Sequence, residues 1–151
     1  MGKKLVIAEK PSVAGDIART LGKFKKEGDF YENDEMIVAS AIGHLLELCV
    51  PEGLEKRGKW KIENLPMMPQ EFELAPTDGK AETRFKLLKR LMKRADVDGI
   101  INACDAGREG ELIFRNLIQM AKVKKPIQRL WLQSMTADAI RTAFKLSLIH
   151  I

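Results

Sequence analysis

An α/β fold, with an open and mostly parallel sheet covered by helices on both faces, is predicted by three features of this sequence. Short continuous apolar runs recur along the chain, amphipathic helical stretches separate them, and turn-forming residues punctuate the joins. The length of 151 residues suits one such domain, because a chain of this size buries roughly 68–70% of its unfolded surface.

The elements follow in order. Lys4 to Ala8 is an apolar run of the kind buried on both faces of a parallel sheet. Ser12 is placed to cap a helix whose apolar positions Val13, Ile17 and Leu21 fall four apart. The polar stretch from Lys25 to Glu35 reads as a hairpin or loop, and Met36 to Ile42 as the second strand. From Pro51 to Pro76 the chain carries four prolines and little periodicity, so an irregular insertion is predicted over 51–76, broken by a strand at Phe72 to Ala75. Loops this long inside a compact domain usually carry function. Ala81, Phe85, Leu88, Met92 and Ala95 mark a helix, and Gly99 to Cys104 another buried strand. A helix from about Gly107 to Ala121 turns Ile113, Leu117, Met120 and Ala121 inward. Ile127 to Leu132 gives a further strand, and Thr136 caps a last helix reaching Phe144.

Composition narrows the function classes. Hydrophobic residues at 45% and charged residues at 31% exclude a disordered or fibrous chain. No apolar run reaches the roughly 18 residues of a membrane span, and Met1-Gly2-Lys3-Lys4 leads directly into a strand rather than a signal sequence. A soluble, cytoplasmic protein is expected. Cys49 and Cys104 stand far apart in apolar settings without C-x-x-C spacing, so they read as buried free thiols rather than a zinc or redox pair.

The net charge of +5 permits a polyanionic partner, and its distribution says more. Lys56, Arg57, Lys59 and Lys61 surround Trp60, an aromatic among cations that offers a base-stacking platform beside phosphate contacts. Lys80, Arg84, Lys86, Lys89, Arg90, Lys93 and Arg94 crowd one helix, where an ordinary solvated face is the simpler reading.

In open α/β sheets ligands sit beyond the carboxyl ends of the strands. Glu9 directly follows the first strand, and Asp105 directly follows the strand that ends at Cys104. If those strands are neighbours, the two carboxylates converge, and Glu109, four residues on, faces the same pocket from one helical turn away. Hard oxygen ligands with room for water and phosphate suit Mg²⁺. Helix capping is the competing role for Asp105.

Four ordered blocks carry a resemblance: Glu9-Lys10-Pro11-Ser12, Gly43-His44-Leu45-Leu46-Glu47-Leu48, the segment from Trp60 to Pro69, and Asp105-Ala106-Gly107-Arg108-Glu109-Gly110-Glu111-Leu112-Ile113. Together they resemble the N-terminal Toprim domain of type IA DNA topoisomerases, in its bacterial topoisomerase III branch, from Leu5 to about Lys145. The resemblance implies a Rossmann-like Toprim fold over residues 1–145, with 146–151 a tail unlike the family's continuation, as a truncated reading frame would leave. The common Asp-x-Asp-x-Glu pattern departs here at Gly107, which implies one fewer carboxylate at the metal.

Such enzymes cut one DNA strand with a tyrosine that becomes linked to the 5′ phosphate, pass another strand through the gap, and reseal it. The resemblance implies that Glu9 acts as general acid and base and touches the metal, and that Lys10 holds the scissile phosphate. It implies that Asp105 with Glu109 binds Mg²⁺. Arg108 takes a phosphate or carboxylate partner or a structural ion pair, and His44 either contacts the DNA backbone or serves as scaffold. Trp60 and Lys61 complete the DNA contacts.

The expected partners are single-stranded or underwound DNA and the downstream domains of the same enzyme. The one tyrosine, Tyr31, sits in the polar connection before Met36 with no activating neighbours. The reactive tyrosine of the family belongs to a later domain, so this chain alone is expected to be inactive. Another Toprim protein, such as a primase or nuclease, would not be expected to show all four blocks. A nucleotide-binding α/β module would want a G-x-G-x-x-G or P-loop, and neither occurs.

Overall fold

The structure is a computed structural model that describes residues 2–49, 62–66, 68, 72–132, 134–146 and 148–150. In chain order the elements are β1 (Lys3–Ala8), α1 (Pro11–Leu21), β2 (Lys25–Glu27), β3 (Phe30–Glu32), β4 (Met36–Ser40), β5 (Leu46–Leu48), a 3-10 turn (Ile62–Asn64) and β6 (Leu74–Pro76). They continue with α2 (Gly79–Met92), β7 (Val97–Ala103), α3 (Arg108–Ala121), β8 (Ile127–Leu130), α4 (Ala137–Leu146) and β9 (Leu148–His150).

Seven strands form the main sheet in the order β2-β3-β4-β1-β7-β8-β9. The four central strands β4, β1, β7 and β8 run parallel. Antiparallel strands close both flanks, the β2–β3 hairpin on β4 and β9 on β8. The fold is therefore the predicted α/β architecture, mostly parallel at its centre and mixed at its edges.

Because successive strand residues face opposite sides, Leu5 and Ile7 join Ile37, Phe85, Leu88, Ile100 and Leu117 in one core under α2 and α3. Val6 and Ala8 join Ile17, Val38, Ile101 and Ile140 in a second core under α1 and α4. No helix among the described residues is long and apolar enough to cross a membrane.

The structure moves several predicted boundaries. Ser12 does not cap α1: Lys10 is the N-cap residue, with extended backbone, and Pro11 opens the helix. Proline is favoured there because its missing N–H would have been unpaired anyway. The hairpin alternative holds for residues 25–35, with Gly28 at φ +64 in the two-residue loop between Glu27 and Phe30. β5 was not foreseen in the sequence, since only Leu46 of its three residues is buried; it pairs with β6 in a separate two-stranded sheet. β6 starts later than the predicted strand and takes in Pro76. Residues 51–61, and with them the cations around Trp60, lie outside the described residues.

Thr136 does cap α4, its hydroxyl accepting the Ala139 N–H at 3.3 Å. Met120 is only partly buried, and Phe114 takes the central place on α3. Of the two thiols, Cys104 is buried and Cys49 only half-buried.

Candidate active site

β1 and β7 are hydrogen-bonded neighbours with Ala8 opposite Ala103, so the residues just past their carboxyl ends share one edge of the sheet. Glu9 leaves β1 at a bend whose carbonyl accepts the Gly43 N–H at 3.3 Å. Its side chain keeps only 12% of its surface exposed. Lys10 follows, held by its N-cap position, its carbonyl accepting the Ala14 N–H at 3.1 Å. The Lys10 ammonium lies 3.5 Å from a Glu9 carboxylate oxygen and 3.7 Å from one of Asp105. One cation thus bridges two carboxylates at separations too long for strong hydrogen bonds.

Asp105 is fixed through its main chain and left open at its side chain. Its carbonyl accepts the Gly107 N–H at 2.8 Å and the Arg129 Nη2 donor at 2.7 Å, while its carboxylate stays 58% exposed. Gly110 allows α3 to approach this loop. A Cβ added there would overlap the Asp105 carbonyl oxygen and come 2.8 Å from its nitrogen. Gly107 is the N-cap of α3, with extended backbone and open space where a Cβ would sit.

Behind the loop lies a polar network that sequence reading did not single out. Asn102 is fully buried on β7. Its Oδ1 accepts the Cys104 N–H at 3.0 Å, and its Nδ2 donates to Glu111 at 2.9 Å. Arg115 donates to the other Glu111 oxygen at 2.7 Å. The buried Arg129 guanidinium lies 3.6 Å from Glu111, and its Nη1 has no hydrogen-bond partner among the described residues. The available signal was an asparagine and an arginine inside apolar strand runs, since buried polar groups require partners. Burial pushes the Cys104 thiol up to about 12, which makes it a packing group rather than a nucleophile.

The remaining candidates are distributed as follows. Glu109 is exposed in the first turn of α3. Asp105 lies outside that helix, so the i,i+4 helical relation expected between them does not apply. Among the described residues no group of three or more His, Cys, Asp or Glu gathers in metal-binding geometry. Glu9 and Asp105 nevertheless supply the hard oxygen donors that Mg²⁺ takes when water and phosphate fill its other positions.

His44 is exposed beside Gly43, the residue tied to the Glu9 carbonyl. Arg108 is exposed at the start of α3, with no acidic partner among the described residues. Trp60 and Lys61 lie outside the described residues. Tyr31 on β3 is partly buried and packs against the second core, its hydroxyl turned toward Gly15 of α1.

Four parallel central strands, with an acidic residue directly after each of the neighbours β1 and β7, define a domain of the α/β class. The chain belongs to the Toprim domain family, which it matches over residues 4–135. It is 46% identical over 146 residues to DNA topoisomerase 3 of Shouchella clausii, covering 96% of this chain and 20% of that protein. Against DNA topoisomerase 3 of Bacillus subtilis the identity is 44% with the same coverage. The solved full-length topoisomerase I of Thermotoga maritima shares the fold, with a TM-score of 0.57 and 24% identity over 93% of this chain and 20% of that one. The chain spans about a fifth of the length of these relatives.

Proposed function

We propose that this chain is the metal- and phosphate-handling portion of a type IA DNA topoisomerase of the topoisomerase III kind. In this reading the enzyme cleaves and reseals one DNA strand through a 5′-phosphotyrosine link. The observation that carries the proposal is Lys10, standing between Glu9 and Asp105 at the ends of two adjacent parallel strands.

In this reading Lys10 holds the scissile phosphate, replacing its long contacts to carboxylates with shorter ones to phosphate oxygens. When a tyrosine phenolate bonds to phosphorus, the bond from phosphorus to the 3′ oxygen breaks and that oxygen takes a proton from Glu9; on resealing the Glu9 carboxylate removes the proton again and the phenolate leaves. Glu9 suits that work because its backbone is anchored and its side chain mostly shielded from water. Glu9 and Asp105 are the residues that would hold Mg²⁺, with Glu109 adding negative charge nearby, and the ion would supply alignment of the 3′ end and phosphate for resealing. His44, Trp60, Lys61 and Arg108 serve as DNA contacts.

Tyr31 plays no chemical part, because it is partly buried on β3 with its ring packed against the second core. The nucleophile and strand gate are assigned to domains downstream of this Toprim unit, so the isolated chain neither cleaves nor relaxes DNA.

The test joins this chain to the remainder of a DNA topoisomerase 3 and follows relaxation of underwound DNA together with covalent-complex trapping. Mg²⁺-dependent relaxation is expected, with Lys10→Ala slowing cleavage and Asp105→Asn impairing resealing more than cleavage. Covalent adducts formed by the isolated chain and lost in Tyr31→Phe would overturn the proposal. In the isolated chain, Mg²⁺ is expected to shift the amides around Glu9 and Asp105 and not those of Asp105→Asn.

A further inference from the structure

Among the described residues Arg129 is the only charged one that is buried, with 4% of its surface exposed. Its place follows from strand register. Asn102 on β7 and Arg129 on β8 are paired residues of parallel strands, so their side chains leave the sheet on the same face. Ile101 and Leu130 belong to the second core, which puts Asn102 and Arg129 on the opposite face, under α2 and α3. Glu111, in the first turn of α3, meets them there and accepts from Asn102 at 2.9 Å.

As pure structure this arrangement is costly. A buried guanidinium weakens a fold unless its donors are filled. Here Nη1 stands 3.6 Å from Glu111, too far for a hydrogen bond, and has no other partner among the described residues. Apolar side chains of similar volume usually serve a core at least as well as a buried ion pair. What Arg129 supplies that no apolar residue can is the 2.7 Å bond from Nη2 to the Asp105 carbonyl. The Gly107 N–H donates to the same oxygen at 2.8 Å, so the carbonyl is held from two sides. Asp105 belongs to neither β7 nor α3, and its carboxylate is the one that faces Lys10 at 3.7 Å.

We propose that Arg129 is a positioning residue for the cation site: it acts through the Asp105 main chain to aim the Asp105 carboxylate at the ion shared with Glu9. The inference rests on the function proposed above for the identity of that ion. Arg129 exerts two opposed effects on a cation, and their signs separate them. Its charge repels a cation at Asp105, so by charge alone its removal would tighten Mg²⁺ binding. Its bond orients the carboxylate, so by positioning its removal loosens Mg²⁺ binding. Orientation prevails because Glu111 at 3.6 Å offsets the guanidinium charge, whereas without Arg129 the Gly107 N–H holds the carbonyl from one side only.

The experiment titrates the whole chain with Mg²⁺ and follows the amides around Glu9 and Asp105, with urea curves fixing the folded fraction of each variant. Arg129→Met is expected to raise the Mg²⁺ midpoint by on the order of 10-fold, as loss of a group that orients a metal ligand does. Arg129→Lys returns a donor to the carbonyl and should recover part of that loss. Leu91→Ala takes packing from α2 in the same core; it lowers stability without removing a bond to Asp105 and should leave the midpoint in place.

A midpoint unchanged or lowered in Arg129→Met overturns the inference. So does a rise of equal size in Leu91→Ala, or an Arg129→Lys chain that binds no better than Arg129→Met. Should Arg129→Met fail to fold, Arg129→Gln takes its place with the same expectation, since its side chain is too short to reach the carbonyl. Asp105→Asn separates the two readings. If it binds Mg²⁺ as the unsubstituted chain does, the site assignment and this inference fall together; if it loses binding while Arg129→Met keeps it, only this inference falls.

Discussion

The two ends of the central strands use the same residue types in opposite ways. At the amino end Arg94 forks between two carboxylates, donating to Glu32 at 2.8 and 2.6 Å and to Asp96 at 2.9 and 2.7 Å. Lys3 adds a bond to Glu32 at 2.6 Å. At the carboxyl end Lys10 stands 3.5 and 3.7 Å from its two carboxylates and remains 56% exposed. The first cluster is saturated: each charge has close partners in fixed geometry. The second leaves donors and acceptors unfilled, so the phosphate and cation of the proposed function would find groups that need not first be pulled from strong bonds. The amino-end charges are closed on one another, whereas those at the carboxyl end are held in place through the backbone.

The sharpest break of this contrast lies in the assembled enzyme. Glu9→Gln is expected to slow cleavage by on the order of 10²–10⁴-fold, the range for loss of a general acid, while the urea midpoint of the isolated chain moves little. A large fall in stability with modest loss of cleavage would make Glu9 a structural residue like Glu32.

Next in size is the packing beneath the open site. Gly110→Ala forces α3 away from the Asp105 backbone and should cost about 1–3 kcal/mol, as overpacking of a close contact does. Arg129→Met should cost a similar amount, about 1–3 kcal/mol, by leaving the Asp105 carbonyl without its buried donor. Urea denaturation measures both, and an unchanged midpoint in Arg129→Met would show that Gly107 alone fixes the loop.

Acid distinguishes the clusters more gently. The Arg94 guanidinium lowers the Glu32 carboxyl below its usual value and brings Asp96 down from 3.8 to about 2. Depressed carboxyls lend stability that is fully present above their unfolded values and is lost as pH falls through the folded ones. The midpoint should therefore drop between about pH 4.5 and pH 2. Arg94→Met should flatten that drop while Lys10→Ala leaves it in place, as pH-dependent urea curves will show.

The smallest effect is expected at Gly107→Asp. The open space at that position and its N-cap backbone make the change tolerable. It alters stability by a few tenths of a kcal/mol and adds a third carboxylate beside Asp105. Mg²⁺ titration followed by amide shifts should then saturate at lower concentration than in the unsubstituted chain, and no tightening would place residue 107 outside the cation's reach.

Much of this was legible along the chain because the signals are local. The runs Lys4 to Ala8 and Gly99 to Cys104 announce buried parallel strands by continuous apolarity, and the four-residue spacing of Val13, Ile17 and Leu21 announces a helix. Glu9 and Asp105 stand out because each directly follows such a strand. Shorter features were lost for equally physical reasons. β5 has three residues and one buried side chain, too few to show a period, and Pro11 outcompetes Ser12 for the start of α1 by fixing its own backbone angle.

By itself the sequence determined the class of fold, the carboxylates at the strand ends and the four blocks that resemble the Toprim domain, since each depends on neighbours within a few residues. Only the tertiary structure decided that β1 and β7 are adjacent, so that Lys10 reaches both Glu9 and Asp105. It alone revealed that Asn102, Glu111 and Arg129 form the support beneath the site, and that Arg94 is bound to Glu32. Those outcomes join residues up to 95 positions apart, and strand pairing and buried partnership at such separations depend on how the whole sheet is ordered rather than on any local pattern.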